Sequence, residues 1–215
     1  TYEEAALYLA RRGSHVLRMG AKVAKPFRAK HPRIIDYATN GMRSEFMDIY
    51  LGAKCKFAMS TSTGWDAIPQ VFRRPICYTN FPQWEYMPTW QRGSLAIWNH
   101  LHKDGKRMTV AEIAESKAGQ FMRADEFTEA GITLVDNTSE EILTAVIEME
   151  RGLSEESQER FWSVYPRSDS PYNGRPLHGE IRIRIGHDFL RGYDVQGKED
   201  TRRDPGARRL QEGAV

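Results

Sequence analysis

A run of small hydroxyl residues that ends in glycine is the stretch of this sequence with the most suggestive chemistry. It consists of Ser60, Thr61, Ser62, Thr63 and Gly64. Hydroxyls can donate to the oxygens of an anion, and a glycine lets a ligand approach the backbone closely. If a helix follows, its free N–H groups and its positive dipole end point back at the turn. The run predicts a phosphate site, although a helix N-cap rich in small residues is equally compatible with it.

The residues on either side indicate how this turn is held. A short apolar run, residues 57–59, precedes it and predicts a buried strand. After the turn, Ile68, Val71 and Phe72 recur at i, i+3 and i+4, which predicts a short helix with one apolar stripe. A second apolar run leads to Asn80. The sequence therefore predicts a strand, a turn, a helix and a second strand over residues 56–80.

Further strands are expected at residues 15–19, 33–37 and 132–135, between helices that begin near Tyr2, Ser44, Thr109 and Thr138. This alternation predicts an α/β fold in which a parallel sheet carries helices on both faces. Such sheets bind ligands beyond the carboxyl ends of their strands. We therefore expect the strand ends at Arg18, Asp36, Ser60, Asn80 and Asp136 to meet at one edge. That expectation joins Arg18 to the hydroxyl turn and favours the phosphate interpretation.

Charge is distributed unevenly along the 215 residues, although the net charge is only +2. No acidic residue occurs between Glu4 and Asp36, whereas that interval contains several cations: Arg11, Arg12, Arg18, Lys22, Lys25, Arg28, Lys30 and Arg33. A segment of this kind attracts the phosphates of a nucleotide, a polyanion or a membrane surface. No apolar run is long enough to cross a membrane.

The sequence lacks the motifs of several common classes of enzyme. The sequence has no Gly-rich dinucleotide fingerprint, no Walker A motif and no Gly two residues before Ser62 for a nucleophile elbow. No Asp-x-Asp pair is present to hold a divalent metal on a sugar diphosphate. His100 and His102 are the only close histidine pair, and we expect them to be exposed. We therefore expect neither a metal nor a cofactor.

Four runs together resemble a family of bacterial glycosyltransferases often encoded with surface-polysaccharide genes, itself similar to the donor-binding half of GT-B enzymes. These runs are residues 8–20, 33–38, 43–51 and 63–82. The resemblance continues through residues 131–142 and, weakly, through 177–191. It implies a Rossmann-like fold of the GT-B C-terminal-domain type and a metal-independent enzyme that uses a nucleoside diphosphate sugar.

The resemblance also implies partners. They are the nucleotide sugar, a glycan acceptor and the N-terminal domain of the same enzyme, which would bind the acceptor; no nucleic acid is expected. The sequence begins inside an amphipathic helix without an initiator Met, which agrees with an N-terminal truncation. We expect a cytoplasmic protein that is either free or peripheral at the inner face of the membrane.

Site residues follow from the resemblance and from the strand ends. Arg18 is the expected catalytic cation that neutralises the leaving diphosphate, and Asp36 is the expected general base or a contact to the ribose or the base of the nucleotide. The predicted donor-binding residues are Lys25, Arg43, Ser60, Thr61, Ser62, Thr63, Gly64 and Asn80. Asp48 and Asp136 are further acidic candidates, although Asp48 could pair with Arg43.

Two other functions stay open: a non-catalytic module that binds a phospho-ligand or glycan, and a nucleotide-sugar epimerase on the same architecture.

Composition divides the chain into three parts. Residues 1–165 are the predicted nucleotide-sugar-binding domain, 166–195 a C-terminal extension and 196–215 a disordered tail. Within the first part, residues 81–107 lack periodicity and are rich in aromatic residues, namely Phe81, Trp84, Tyr86, Trp90 and Trp98. Such rings could cover an acceptor, contact a membrane or form satellite core packing.

Overall fold

The computed structural model describes residues 1–88, 90–151 and 183–193. Within these ranges the fold is α/β and contains a parallel sheet. The α-helices are α1 (Glu3–Arg11), α2 (Glu45–Lys54), α3 (Ala67–Val71), α4 (Val110–Ser116), α5 (Ala124–Glu129), α6 (Ser139–Arg151) and α7 (His187–Arg191). The strands are β1 (Val16–Leu17), β2 (Ile34–Ile35), β3 (Ala58–Ser60), β4 (Ile76–Phe81), β5 (Leu95–Trp98), β6 (His100–Lys103), β7 (Lys106–Arg107), β8 (Ile132–Val135) and β9 (Arg184–Ile185). Short 3-10 helices cover Gly64–Asp66, Trp84–Tyr86 and Ala118–Gln120.

The main sheet has the order β3-β4-β5-β9, and its strands are parallel. Ser60 at the end of β3 lies beside Tyr78 of β4. Ile76, Cys77 and Tyr78 are almost completely buried, as expected for a strand of a parallel sheet whose faces are both covered. The strand, turn, helix and strand predicted over residues 56–80 are confirmed, with a 3-10 turn inserted before α3.

The expectation that all five predicted strands share one parallel sheet is wrong. Strands β1 and β2 pair with each other in a separate two-stranded parallel sheet. Strand β8 is present at the predicted residues, but it pairs antiparallel with β6, so that His100 lies opposite Val135. This occurs because β6 follows β5 after a single residue, Asn99, and offers β8 a different partner.

The aromatic stretch that lacks periodicity in the sequence contains three complete strands and part of the core. Strand β4 extends to Phe81, and β5, β6 and β7 follow within residues 95–107. The side chains of Phe81, Trp84 and Trp98 are buried, and the rings of Trp84 and Trp98 stack with centroids 4.4 Å apart. Core packing, one of the three interpretations, is confirmed for these rings, whereas Trp90 is exposed.

Helix starts follow their predicted caps. The Ser44 hydroxyl accepts from the Met47 N–H at the start of α2. Thr109 and Glu112 form a capping box before α4, and Glu141 accepts from the Thr138 N–H at the start of α6. Such caps satisfy N–H groups that lack an acceptor within the helix. Helix α6 packs against α1 and against β4 and β5.

Residues 183–193 lie within the segment that was expected to be an extension, but they form a strand of the main sheet and a helix that packs against α6. Strand β9 pairs with β5, and α7 packs against α6. The rings of Phe189 and Trp98 have centroids 6.1 Å apart. The sequence also predicts a helix at residues 155–164. This segment and the predicted tail at 196–215 lie outside the described residues. No helix in the described part of the chain combines the length and apolarity needed to cross a membrane.

Candidate functional site

The hydroxyl turn, residues 60–64, connects the carboxyl end of β3 to the first helical turn after it. Ser62, Thr63 and Gly64 are exposed, and Thr61 is half-buried. Ser62 has a φ of 63°, in the left-handed region that non-glycine residues seldom adopt. The turn therefore presents polar groups to solvent at the ligand-binding edge of a parallel sheet.

Ser60 is the member of the turn that points inward. Its side chain is buried, and its hydroxyl donates to the Asp66 carboxylate at 2.8 Å. Burial raises the pKa of Asp66, although the Ser60 hydroxyl and the Thr63 N–H act in the opposite direction. Asp66 was not among the predicted site residues. Ser60 and Asp66 thus fix the shape of the turn, and Ser62 and Thr63 face solvent beside the half-buried Thr61.

Gly64 leaves the backbone accessible. A Cβ built at this position would have no atom within 4 Å, other than its chain neighbours. Gly64 and Trp65 begin a 3-10 helix, so their N–H groups have no acceptor in a preceding helical turn. Exposed hydroxyls, free amides and open space are together the ingredients of an anion site, while the Asp66 carboxyl lies beneath it.

Asn80 lies on the next strand, near the same edge. Its φ is 50°, and its backbone N–H donates to the Asn137 side-chain oxygen at 2.6 Å. The Asn137 N–H returns an equivalent bond to the Asn80 side chain, also at 2.6 Å. Asn137 donates in addition to the Trp98 carbonyl. Asn80 and Asn137 together therefore tie the ends of β4, β5 and β8.

Arg18 and Asp36 contact each other. The Arg18 guanidinium donates to the Asp36 carboxylate at 3.1 Å and to the Lys25 carbonyl at 2.9 Å. Asp36 also accepts from the Phe27 N–H and the Thr39 hydroxyl. Burial raises the pKa of Asp36, but these donors outweigh burial and hold it below its usual value. The pair anchors the basic loop between β1 and β2.

The predicted site residues thus form two groups. Arg18, Asp36 and the backbone of Lys25 lie together beside the two-stranded sheet, while the hydroxyl turn and Asn80 lie at the edge of the main sheet. Arg43 belongs to neither group, because its guanidinium contacts Asp48 at 2.7 Å, as the alternative interpretation expected. The Lys25 residue is exposed.

A second polar cluster, which the sequence did not suggest, surrounds His100. The histidine is buried, so the expectation that it is exposed is wrong. Its Nε2 lies 2.8 Å from the Glu141 carboxylate, and its Nδ1 contacts Arg107 and the Tyr193 hydroxyl. The Arg107 guanidinium lies 4.0 Å from the centre of the Tyr193 ring. The members of this cluster contact one another. We therefore interpret it as a structural contact that holds residues 183–193, through Tyr193, against the rest of the domain.

Beside this cluster lies a cavity of about 370 Å³, which is lined by acidic and hydroxyl side chains from α6 and by the start of α7. Within the described ranges, Glu148, His187 and Asp188 are the group with side chains suited in type and spacing to a metal. The Glu148 carboxylate, however, already accepts from the backbone N–H groups of His187 and Asp188. Its evident role is to cap α7.

Comparison with known proteins identified no relative of this chain. No family model, no curated protein and no solved structure matches this chain.

Proposed function

We propose that this chain binds a nucleoside diphosphate sugar at the carboxyl edge of β3 and β4, and takes part in transferring the sugar to a glycan hydroxyl. In this proposal the fold is the Rossmann-like, donor-binding half of a GT-B enzyme. The observation that supports it is the hydroxyl turn, in which exposed hydroxyls and helix-starting amides surround the open space above Gly64.

The turn has groups suited to the charge that this reaction creates. As an acceptor hydroxyl attacks the anomeric carbon, the bond from that carbon to the diphosphate breaks, and negative charge develops on the leaving phosphate. Preorganised N–H and O–H donors stabilise such charge because they need no reorientation during the reaction. The amides of Gly64 and Trp65 and the hydroxyls of Thr61 and Thr63 would serve here, and no metal would be required.

Arg18 and Asp36 lie apart from the hydroxyl turn, and we propose a separate role for them. The Arg18 guanidinium holds the loop that carries Lys25, since it donates to the Lys25 carbonyl and to Asp36. We propose that Arg18, together with Lys25 of this loop, supplies cationic charge to the diphosphate, and that Asp36 orients Arg18.

Binding is tested by calorimetric titration of the chain with nucleoside diphosphates. A Gly64→Ala variant should fold normally, since the added methyl group meets no protein atom and the backbone is not left-handed. We expect it to bind at least about tenfold more weakly, because the methyl group occupies the space of the phosphate. Thr133→Ala removes an exposed hydroxyl from β8 and should bind normally. Equal binding by the Gly64→Ala variant, or no binding by the natural chain, would refute the site.

Catalysis is tested by a transfer assay with Arg18→Ala. Loss of a preorganised charge contact costs about 2.7–4 kcal/mol in the transition state, so turnover should fall by roughly a hundredfold to a thousandfold. Asp36→Asn removes the partner but keeps the Arg18 charge, and it should lose much less. Equal losses of turnover in the two variants would indicate that the pair only holds the loop.

Binding without transfer would support a non-catalytic module, and epimerised free nucleotide sugar would support an epimerase.

A further inference from the structure

The surface formed by α2 and α3 carries an unusual concentration of exposed apolar side chains. Among the described residues, six of the nine large hydrophobic side chains that are exposed lie here: Met42, Phe46, Ile49, Tyr50, Val71 and Phe72. We call these six residues the apolar patch. Phe46 is 71% exposed and Val71 is 77% exposed. Large exposed apolar areas on soluble proteins are usually sites of interaction.

Five of these side chains lie within α2 or at the end of α3, and the contact between the two helices brings them towards one another, while Met42 lies just before α2. The two helices pack closely through Gly52, because a Cβ added there would lie 2.7 Å from the Ile68 Cγ2 atom. Ile49 lies one turn before Gly52, and Phe72 lies one turn after Ile68, so both flank this contact. The rings of Phe46 and Tyr50, also one turn apart, stack with centroids 6.0 Å apart.

The charges around the apolar patch are mainly positive. Residues 42–56 and 67–74 contain five cations, Arg43, Lys54, Lys56, Arg73 and Arg74, but only two acids, Glu45 and Asp48. Asp48 is paired with Arg43, and the Lys56 ammonium lies 3.8 Å from the Glu150 carboxylate. With these pairs set aside, Lys54, Arg73 and Arg74 still outnumber Glu45 in the two segments. Lys54 and Arg73, which lie at or just beyond the ends of α2 and α3, are exposed.

We propose that the apolar patch docks onto a lipid bilayer that contains anionic lipids. Apolar and aromatic side chains would enter the interface, and the surrounding Lys and Arg side chains would meet the negative headgroups. A second copy of the chain is a poorer occupant, because face-to-face contact would bring positive rims together. The aromatic residues 81–98 do not provide such a surface, since Phe81, Trp84 and Trp98 are buried.

The test is flotation of the chain with vesicles of phosphatidylcholine alone and of phosphatidylcholine mixed with phosphatidylglycerol. We expect binding to the mixed vesicles to exceed binding to the neutral ones by at least about tenfold, and to weaken as salt is added. Phe46→Ser with Tyr50→Ser should lower binding to the mixed vesicles by about tenfold or more, since it removes apolar area from the interface. Lys54→Glu with Arg73→Glu should have a comparable effect at low salt.

The matched control is Met122→Ser, which removes an apolar side chain that is 52% exposed outside the apolar patch. It should float like the natural chain, and thermal melting should show that all variants are folded. The proposal is overturned if the natural chain does not float, or if the patch variants and the control bind alike. It is also overturned if the chain self-associates without lipid and Phe46→Ser abolishes that association, because a second copy would then cover the patch.

Discussion

Two apolar regions of this molecule differ in how their sequence pattern relates to their burial in the structure. Residues 81–98 have no helical or strand periodicity, yet Trp84 and Trp98 are buried and stacked. The apolar stripe of α3 has regular spacing, yet Val71 and Phe72 are exposed. Periodicity disappears when an element is covered on both faces, as β5 is. A regular stripe, in contrast, shows which side chains share a surface and not whether another element covers it.

The largest effect that tests this comparison is expected from Trp98→Ala. The side chain is 1% exposed, stacks on Trp84 and lies beside Phe189. Deleting it should lower the free energy of unfolding by about 3–5 kcal/mol, since burial is lost and a cavity remains. Denaturant unfolding followed by circular dichroism measures the change. Trp98→Phe should cost less, and a similarly small loss for both variants would show that this region is not core.

A smaller loss of stability is expected where α2 meets α3. Replacing a helical Gly by Ala ordinarily stabilises a protein by about 0.5–1 kcal/mol. At Gly52 the sign should reverse, with a cost of about 1–3 kcal/mol, because the new methyl group overlaps Ile68. Unfolding of Gly52→Ala, of Ile68→Ala and of the double variant gives the coupling. The double variant should lose less stability than the sum of the two single losses, and simple additivity would place the strain elsewhere.

The polar cluster that follows the buried aromatic stretch should be sensitive to acid. Burial raises the pKa of Glu141, but hydrogen bonds from His100 and Thr138 outweigh it and lower the value to about 2, from an ordinary 4.5. The folded state therefore binds this proton less tightly than the unfolded state. The resulting stabilisation is complete above about pH 4.5 and is lost as the pH falls towards 2.

Glu141→Gln should therefore lower the free energy of unfolding by about 1–3 kcal/mol at pH 6, because it removes a charged hydrogen-bond partner from His100. The difference from the natural chain should shrink between about pH 4.5 and 2. Glu140→Gln removes the same charge from the neighbouring exposed residue and is the control. A difference that stays constant with pH would contradict the assigned pKa.

The smallest effect is expected from Phe46→Ala. A side chain that is 71% exposed has little burial to lose, so the free energy of unfolding should change by less than about 0.5 kcal/mol. Met122→Ala serves as a reference at another exposed apolar position. Should Phe46→Ala destabilise the isolated chain as strongly as Trp98→Ala does, the apolar patch would have to be covered within the chain itself.

Local features of the fold could be predicted because they depend on neighbouring residues. Ser44, Thr109 and Thr138 mark helix starts because their hydroxyls bond within one turn, and the apolar runs around the hydroxyl turn identify β3 and β4. The antiparallel pairing of β8 with β6 could not be predicted in this way. The residues of a strand determine its faces, whereas its partner depends on distant parts of the chain.

The candidate site shows the same limit. Arg18, Asp36 and Arg43 were predicted to act on a ligand because of their charges and positions, but a sequence does not tell whether the partner of a charged group is a ligand or another side chain. In the structure Arg18 pairs with Asp36 and Arg43 with Asp48. Asp66 was overlooked because its contact with Ser60 exists only after the turn has folded back on the strand.

The pairing of β5 with β9 has a consequence for biosynthesis. Leu95 of β5 lies in register with Arg184 of β9, whose backbone N–H donates to the Ser94 carbonyl. The central strand β5 therefore gains its last neighbour only after most of the chain has been made. Contacts between such distant residues form slowly because a long loop must close first. Until Arg184 has left the ribosome, the nascent chain exposes an open strand edge beside the Trp98 ring. That interval is when a chaperone would be needed most.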